Sequence, residues 1–487
     1  MLHDRRSSTL QPPHVGPEST QRDADRPRWW TLGLLCVAQF MLVLDVTVVN
    51  VALPDLARDL DLVGASAGWA VTAYALPFAG LLLLGGRIAD LVGPRRTVLA
   101  GLVLFTAASL AAGLAGSEAV FLTARGAQGV GAALLSPAAL ATVTRLFDGP
   151  DRARALAAWG AVGGSGAAVG VLVGGLLVAG PGWRSIFLIN VPIGILVAVA
   201  LTLVTRVFTG LPAGTHGAAG RRLDVLGAVL ALVGVAALVR GLTLSAGPQR
   251  SSVGVVLALG GVAVLALFWW RERAAAAPLL DPALVRRPAV RGGALVMLGA
   301  TAVLVGSFFL LSFLLQARLG WSALTTGLAF LPVAVAVGAG AHLGGRLVVR
   351  LGGRTVAAAG LGAAALGSAV SALSGDTVAL VVGGTTVAAL GLGSAFVAAT
   401  TTAMTQVEES RAGVTSGVVS TAHELGAAIG VAVLSSVAAS SLLAPDMLGG
   451  FSRGFAVAAV IAAATSVAAA LLVPAVRPTA DAPRFAH

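Results

Sequence analysis

Three ionisable residues stand inside long apolar stretches of this sequence: Asp45, Arg125 and Glu424. Asp45 interrupts MLVLDVTVVNVALP at 41–54, where Asn50 is the only other strongly polar side chain. A charge near the bilayer centre costs at least about 2.5–3.5 kcal/mol on insertion scales, so such residues pair, face a cavity or mark an ion path. Asp45 lies nine residues before Pro54, and Arg125 seven residues after Glu118. Helical rise puts them roughly 14 Å and roughly 10 Å below the same surface, in one layer of a polar cavity. Desolvation favours the neutral carboxyl, whereas a neighbouring guanidinium favours the charged one. A carboxyl held between these influences takes up and releases a proton as its access changes sides. The plainer alternative is a static ion pair tying helices 1 and 4 together. Glu424, thirteen residues past Arg411, falls near mid-membrane. It reads as a further proton site or as a counter-charge for a cationic substrate, with a structural hydrogen bond as the alternative.

Uncharged polar groups fill out the candidate cavity. Asn50, Tyr74, Gln128, Gln316 and His423 are the residues expected to line it, Tyr74 being the one tyrosine of the chain. His423 beside Glu424 reads more simply as a satisfied bystander. Gln316 and Asn190 fall near span ends, where capping is at least as good a reading.

What must position these residues is a stack of membrane helices. Of the 487 residues, 57% are hydrophobic and 11% charged, too little polar surface for a soluble chain of this size. Crossing about 30 Å of hydrocarbon takes roughly 20 apolar residues. Fourteen runs of that kind are read here, the first at 29–53 and the last at 454–474. The chain has no lysine, and its 32 basic residues are all arginine. They sit in short connections between apolar runs, which argues for the membrane reading of the +11 net charge and against nucleic acid. Twenty-five lie on the side of the N-terminus, six on the opposite side and Arg125 within a span. Positive-inside bias then makes both termini cytoplasmic. Residues 1–28, polar and arginine-rich, read as a disordered cytoplasmic tail, followed by an uncleaved anchor. The single Cys36 leaves no disulfide within the chain and no CxxC metal site.

Internal similarity divides the chain. GRIADLVGPRR at 86–96 matches GRLVVRLGGR at 345–354 with an offset of 259, and GAAVGVLV at 166–173 matches GAAIGVAV at 426–433 with an offset of 260. GVGAA at 129–133 resembles GLGSA at 391–395, offset 262. Helices 1–6 therefore correspond to helices 9–14 in the same orientation, with helices 7–8 inserted. The expected organisation is a six-helix bundle at 29–206, linkers and two inserted helices at 207–292, a second bundle at 293–475 and a cytoplasmic tail at 476–487. Parallel repeats of this kind place the site between the halves near the midplane.

Two glycine-rich elements look conformational. In the 86–96 loop, Gly86 and Gly93 permit tight turns, Asp90 can pair with loop arginines such as Arg95 and Arg96 or sit at a helix N-terminus, and the plainer reading is positive-inside topology. In helix 5, Gly166, Gly170 and Gly174 recur every four residues, a flat stripe for close helix approach. Helix 10 of the other half, with Gly338, Gly340 and Gly344, is its expected partner.

Taken together, LDVTVVNVALP (44–54), GRIADLVGPRR (86–96), RGAQGVGAA (125–133), the glycines of 163–175, WRSIFLINVPIG (183–194) and RRLDVLGAVLA (221–231) resemble the major facilitator superfamily, and specifically its fourteen-helix drug:proton antiporter branch. The resemblance covers residues 29–475. It implies an all-α membrane protein of two pseudo-symmetric bundles, alternating access, and export of amphipathic drugs or antibiotics in exchange for protons. It assigns Asp45 and Arg125 to proton coupling and the 86–96 loop to conformational control. Two positions depart from the family pattern: Val171 follows Gly170 where the antiport motif usually continues Gly-Pro, and Leu91 replaces a common basic residue. The expectation is thus a monomeric exporter in a bacterial plasma membrane, driven by the proton gradient without a cofactor or metal, whose partners are substrate, protons and lipid. An uptake symporter of the same fold is the nearer alternative, and a non-transporting sensor or scaffold the more distant one. Six scattered histidines and no clustered nucleophile or acid/base set argue against an enzyme.

Overall fold

The computed structural model describes residues 17–62, 67–147, 149–204, 224–246, 252–275, 278–375, 377–404, 407, 412–443 and 449–475, without the side chains of 17–26, 163–168, 171 and a few other helical positions. Its elements are helices throughout: α1 Pro17–Asp59, α2 Trp69–Val92, α3 Pro94–Gly113, α4 Glu118–Leu146, α5 Gly149–Ala179 and α6 Ser185–Leu203. The inserted pair is α7 Val225–Ala246 and α8 Ser252–Ala274. The second set is α9 Pro288–Phe313, α10 Ala323–Leu351, α11 Gly353–Leu373, α12 Val378–Met404, α13 Ala412–Val437 and α14 Gly449–Leu472. Thirteen of these are long and apolar enough to cross a membrane. With the 31-residue α5, uncharged from Ala155 onward, they make the expected fourteen.

Helix α1 begins at Pro17, ahead of the apolar run at 29–53. Proline suits the first helical turn, and extending an existing helix avoids the nucleation penalty. Residues 1–16, the linker 205–223 and the tail 476–487 lie outside the described residues.

The two bundles repeat one packing plan. α5 lies on α1, and α2 and α3 on α4; in the second bundle α13 lies on α9, and α10 and α11 on α12. The halves meet through α2 with α13 and α5 with α10, pairs that exchange under the repeat. Two turns show the repeat at the level of the backbone. Gly93 ends α2 and precedes α3 at φ 100°, while Gly352 ends α10 and precedes α11 at φ 82°. Both conformations strain any residue with a Cβ. One sequence match shifts register in space. A Cβ on Gly101 of α3 would meet the Gly131 carbonyl at 2.7 Å, and one on Gly360 of α11 the Gly391 carbonyl at 2.5 Å. Gly391 is thus the counterpart of Gly131, offset 260; the 262 match was two residues out because small residues recur too often there to fix register.

Apolar packing is uneven along the bundle axis. One continuous core joins Val48, Val51, Leu56, Phe121 and Phe187 of the first half to Phe309, Leu315 and Phe330 of the second. These lie at the end remote from the termini. Toward the other end, Leu35, Leu42, Phe105, Leu135 and Val143 form a core made only of first-half residues. The inserted hairpin is no appendage to one half. Val235 and Val239 of α7 cluster with Ala75 and Leu76 of α2 and with Ala428 and Ala432 of α13.

Candidate functional site

Asp45 and Arg125 meet inside the first bundle, each 1% exposed. Ser117 caps α4 by accepting from the Val120 N–H at 3.4 Å, and the apolar turns that follow carry Arg125 inward. Its Nη1 donates to Asp45 Oδ2 at 2.5 Å and to Gln128 Oε1 at 2.9 Å, and its Nε donates to the Ala70 carbonyl at 3.0 Å. The guanidinium also stacks 4.6 Å from the Tyr74 ring centre and 5.5 Å from that of Phe187. A desolvated guanidinium gains from such aromatic faces. The charge that was expected in one layer of a cavity is a buried, multiply held pair, and Asp45 faces the bundle interior rather than lipid.

The second carboxylate oxygen recruits two further helices. Asp45 Oδ1 accepts from Gln128 Nε2 at 3.1 Å and from Asn190 Nδ2 at 3.2 Å. Ser109 Oγ on α3 accepts from the same two amides at 2.7 and 3.5 Å. A buried ion pair survives desolvation only when its remaining lone pairs are satisfied in this way. Asn190 is no end cap: it stands at the centre of the site. Pro192 has no N–H for the Leu188 carbonyl, so the helix is interrupted at Ile189 and Asn190 turns toward Asp45. Ser109 is the member that sequence reasoning missed, and Asn190 was weighed there as a cap; an amide two residues before an intramembrane proline was the available signal. The other amide atom, Asn190 Oδ1, is buried without a hydrogen-bond partner among the described residues.

Tyr74 links this cluster to the second bundle. Its hydroxyl is buried with no hydrogen-bond partner among the described residues, and the charges of Asp45, Arg125 and Glu424 act on it. Glu424 stands on α13, the helix of the second bundle that packs against α2. Its neighbour His423 points within its own bundle: Nδ1 pairs with Thr301 Oγ1 at 3.0 Å, and its ring lies 5.8 Å from that of Phe396. Asn50 donates to its own helix at the Val46 carbonyl, 3.0 Å, and its buried Oδ1 has no partner among the described residues. Gln316 lies in a π turn, Leu314–Arg318, that extends α9. It donates across the halves to the Val51 carbonyl of α1 at 2.8 Å. π turns of this kind concentrate at functional positions.

The loop and glycine elements are placed as follows. Asp90 accepts from Arg145 Nη2, at the end of α4, at 2.7 Å, rather than from an arginine of its own loop. Arg95 reaches the Thr202 carbonyl of α6 at 3.3 Å, and Arg96 is exposed. Gly86 has only Pro137 nearby. The stripe of α5 faces α1, not α10: a Cβ on Gly170 would overlap the Thr47 hydroxyl, and one on Gly174 would press Val48 at 3.1 Å. Gly175 faces α10, at Ala323 and Leu324. Gly340 and Gly344 pack on α12, and Gly338 has open space around it. The i, i+4 spacing shows that a helix comes close, but not which helix. The surroundings of Gly166 lie outside the described residues.

Comparison with known proteins bears on the whole arrangement. A model described as the Major Facilitator Superfamily matches residues 35–431. The chain is 36% identical over 428 residues to the puromycin resistance protein pur8 of Streptomyces alboniger, covering 86% of this chain and 84% of that protein. It is 39% identical over 416 residues to the cephamycin export protein CmcT of Amycolatopsis lactamdurans, covering 84% and 85%. Among solved structures it shares its fold with the POT family transporter PepTSo, at a TM-score of 0.65 and 18% identity over 92% of this chain and 97% of that one. Two parallel six-helix bundles, joined through α2, α5, α10 and α13 and matched along most of their length, make this chain a member of the Major Facilitator Superfamily.

Proposed function

We propose that the protein exports small amphipathic drugs or antibiotics from a bacterial cell in exchange for protons, by alternating access between its two bundles. The relatives named for puromycin resistance and cephamycin export support the substrate class. The excess of arginine in the connections on the terminal side supports a plasma-membrane orientation with both termini in the cytoplasm.

The observation that carries the proton step is the saturation of Asp45. Both oxygens accept hydrogen bonds, Oδ2 from Arg125 and Oδ1 from Gln128 and Asn190. A protonated carboxyl has an O–H to donate and fewer lone pairs to offer. Taking up a proton at Oδ1 therefore requires the amides of α4 and α6 to give way. Turning the Asn190 amide would bring its unpartnered Oδ1 to the new O–H. Protonation thus loosens the ties between α1, α4 and α6 and leaves the Arg125 charge less balanced. Glu424, across the interface from Tyr74, supplies a negative charge for a cationic substrate or a further proton.

Everted membrane vesicles with an imposed pH gradient test this reading, using a panel of lipophilic cations and antibiotics. Uptake into the vesicles driven by an acidic interior, abolished by a protonophore and by Asp45→Asn, is the expected result. Accumulation that persists after the gradient collapses would remove proton exchange.

A further inference from the structure

The base of the inserted hairpin holds two acids that the transport cycle above does not use. Asp224 immediately precedes α7, and Glu272 lies in the last turn of α8. Glu272 is 1% exposed. Its Oε2 accepts from the Leu280 N–H at 2.9 Å, pinning the connection to α9 against the hairpin. Its Oε1 is buried with no donor among the described residues.

Gly227 shows where that oxygen points. A Cβ at 227 would lie 2.6 Å from Asp224 Oδ2 and 2.8 Å from Glu272 Oε1. The two carboxyl oxygens share the small space that this glycine leaves open. Two carboxylate oxygens are both acceptors and cannot bond unless one carries a proton. Arg271 pairs with Asp224, and the Gly227 N–H donates to Asp224 Oδ1 at 2.7 Å. Although burial pushes the Asp224 carboxyl up, these donors hold it below its ordinary range. The proton therefore belongs to Glu272. Asp224, Arg271 and Glu272 are the ionisable groups that face one another here among the described residues, and one proton brings their summed charge to zero.

We propose that Glu272 and Asp224 form a proton-binding site that locks the base of the α7–α8 hairpin, through Leu280, to the segment entering α9. Its ligand is a single proton held between Glu272 Oε1 and Asp224 Oδ2. The site is independent of Asp45. It also bears on the halves, because α7 packs on both α2 and α13.

Infrared difference spectroscopy on the purified full-length transporter tests the site without using activity. The carbonyl stretch of a protonated carboxyl is compared between the wild type and Glu272→Gln, with Asp45→Asn and Glu424→Gln as controls. The expected result is a protonated-carboxyl band at neutral pH that Glu272→Gln removes and Asp224→Asn shifts. In melting experiments, Glu272→Gln, whose amide donates permanently to Asp224, keeps its stability as the pH becomes alkaline, whereas the wild type loses stability. Identical infrared spectra for wild type and Glu272→Gln would overturn the proposal. So would a missing band accompanied by stabilisation from added sodium, which would make the ligand a metal cation.

Discussion

Asn190 donates to Asp45 Oδ1 at 3.2 Å from a position 145 residues further along the chain. The bond joins α6 to α1 and occupies the oxygen opposite Arg125. A hydrogen bond to a charged acceptor contributes about 1.5–3 kcal/mol. Asn190→Ala should therefore reduce proton-driven export by about tenfold or more. A role confined to helix packing would lower the amount of folded transporter but leave the pH profile of export alone. A role in holding Asp45 moves the midpoint of that profile, and Asn190→Ser, with a shorter polar group, should restore part of the activity. Vesicle transport at a series of imposed pH values separates the two.

Removing one charge of the Asp45–Arg125 pair leaves the other buried without its counter-charge, which costs about 3–5 kcal/mol. Arg125→Ala should accordingly lose folded protein as well as transport. The double substitution Asp45→Asn with Arg125→Gln removes both charges together and should recover much of the thermal stability, with no recovery of export. Melting temperature in detergent and vesicle uptake, measured on the same preparations, check the two halves of this statement. Equal melting of the single and double variants would mean that the pair contributes nothing as a pair.

The stripe of α5 makes a sharper packing prediction. A methyl group at Gly170 would overlap the Thr47 hydroxyl, which among the described residues bonds within its own helix, to the Val43 and Leu44 carbonyls at 3.1 and 3.0 Å. Overpacking of this kind costs about 1–3 kcal/mol. Gly170→Ala should destabilise the transporter by that order, and Thr47→Ala should relieve most of it, since the hydroxyl can be removed without stranding a partner while the Thr47 Cβ stays 3.0 Å from the added methyl. Had helix 10 been the neighbour, as the spacing alone suggested, the Thr47 change would have no such effect. Thermal melting of the single and paired variants decides the matter.

The legibility of this molecule in its sequence follows from what each signal encodes. Apolar run lengths encode spans, so the helices were readable; the repeat at offset 259 encoded a turn geometry, which Gly93 and Gly352 share. Asp45 and Arg125 stood out because charge is rare in oil, and depth along a helix sufficed to bring them together. Asn190 and Ser109 did not stand out, because an amide or hydroxyl is cheap enough in a helix to occur for many reasons. Direction around the helix axis was the missing quantity. It sends Gly170 to α1 rather than α10, and it turns Gln316 from a candidate cavity residue or cap into a bridge between the halves.

That bridge gives the last prediction. Gln316 Nε2 donates to the Val51 carbonyl and to Ser312 Oγ at 2.8 and 3.1 Å, at the end of the molecule where the apolar cores of the two bundles merge. Leucine at 316 has similar bulk but no donor, so it preserves the packing and removes the tie. A neutral hydrogen bond contributes about 0.5–1.5 kcal/mol, enough to shift the balance between open and closed states of this end by about two- to tenfold. With Cys36→Ser as background and a cysteine introduced by Leu319→Cys, labelling by a membrane-impermeant maleimide reads how often that end opens. Gln316→Leu should raise the labelling rate by the same factor while melting stays within a few degrees. An unchanged rate would mean that apolar packing of α1 against α9 alone keeps this end shut, because the wild-type bond would then contribute equally to both states.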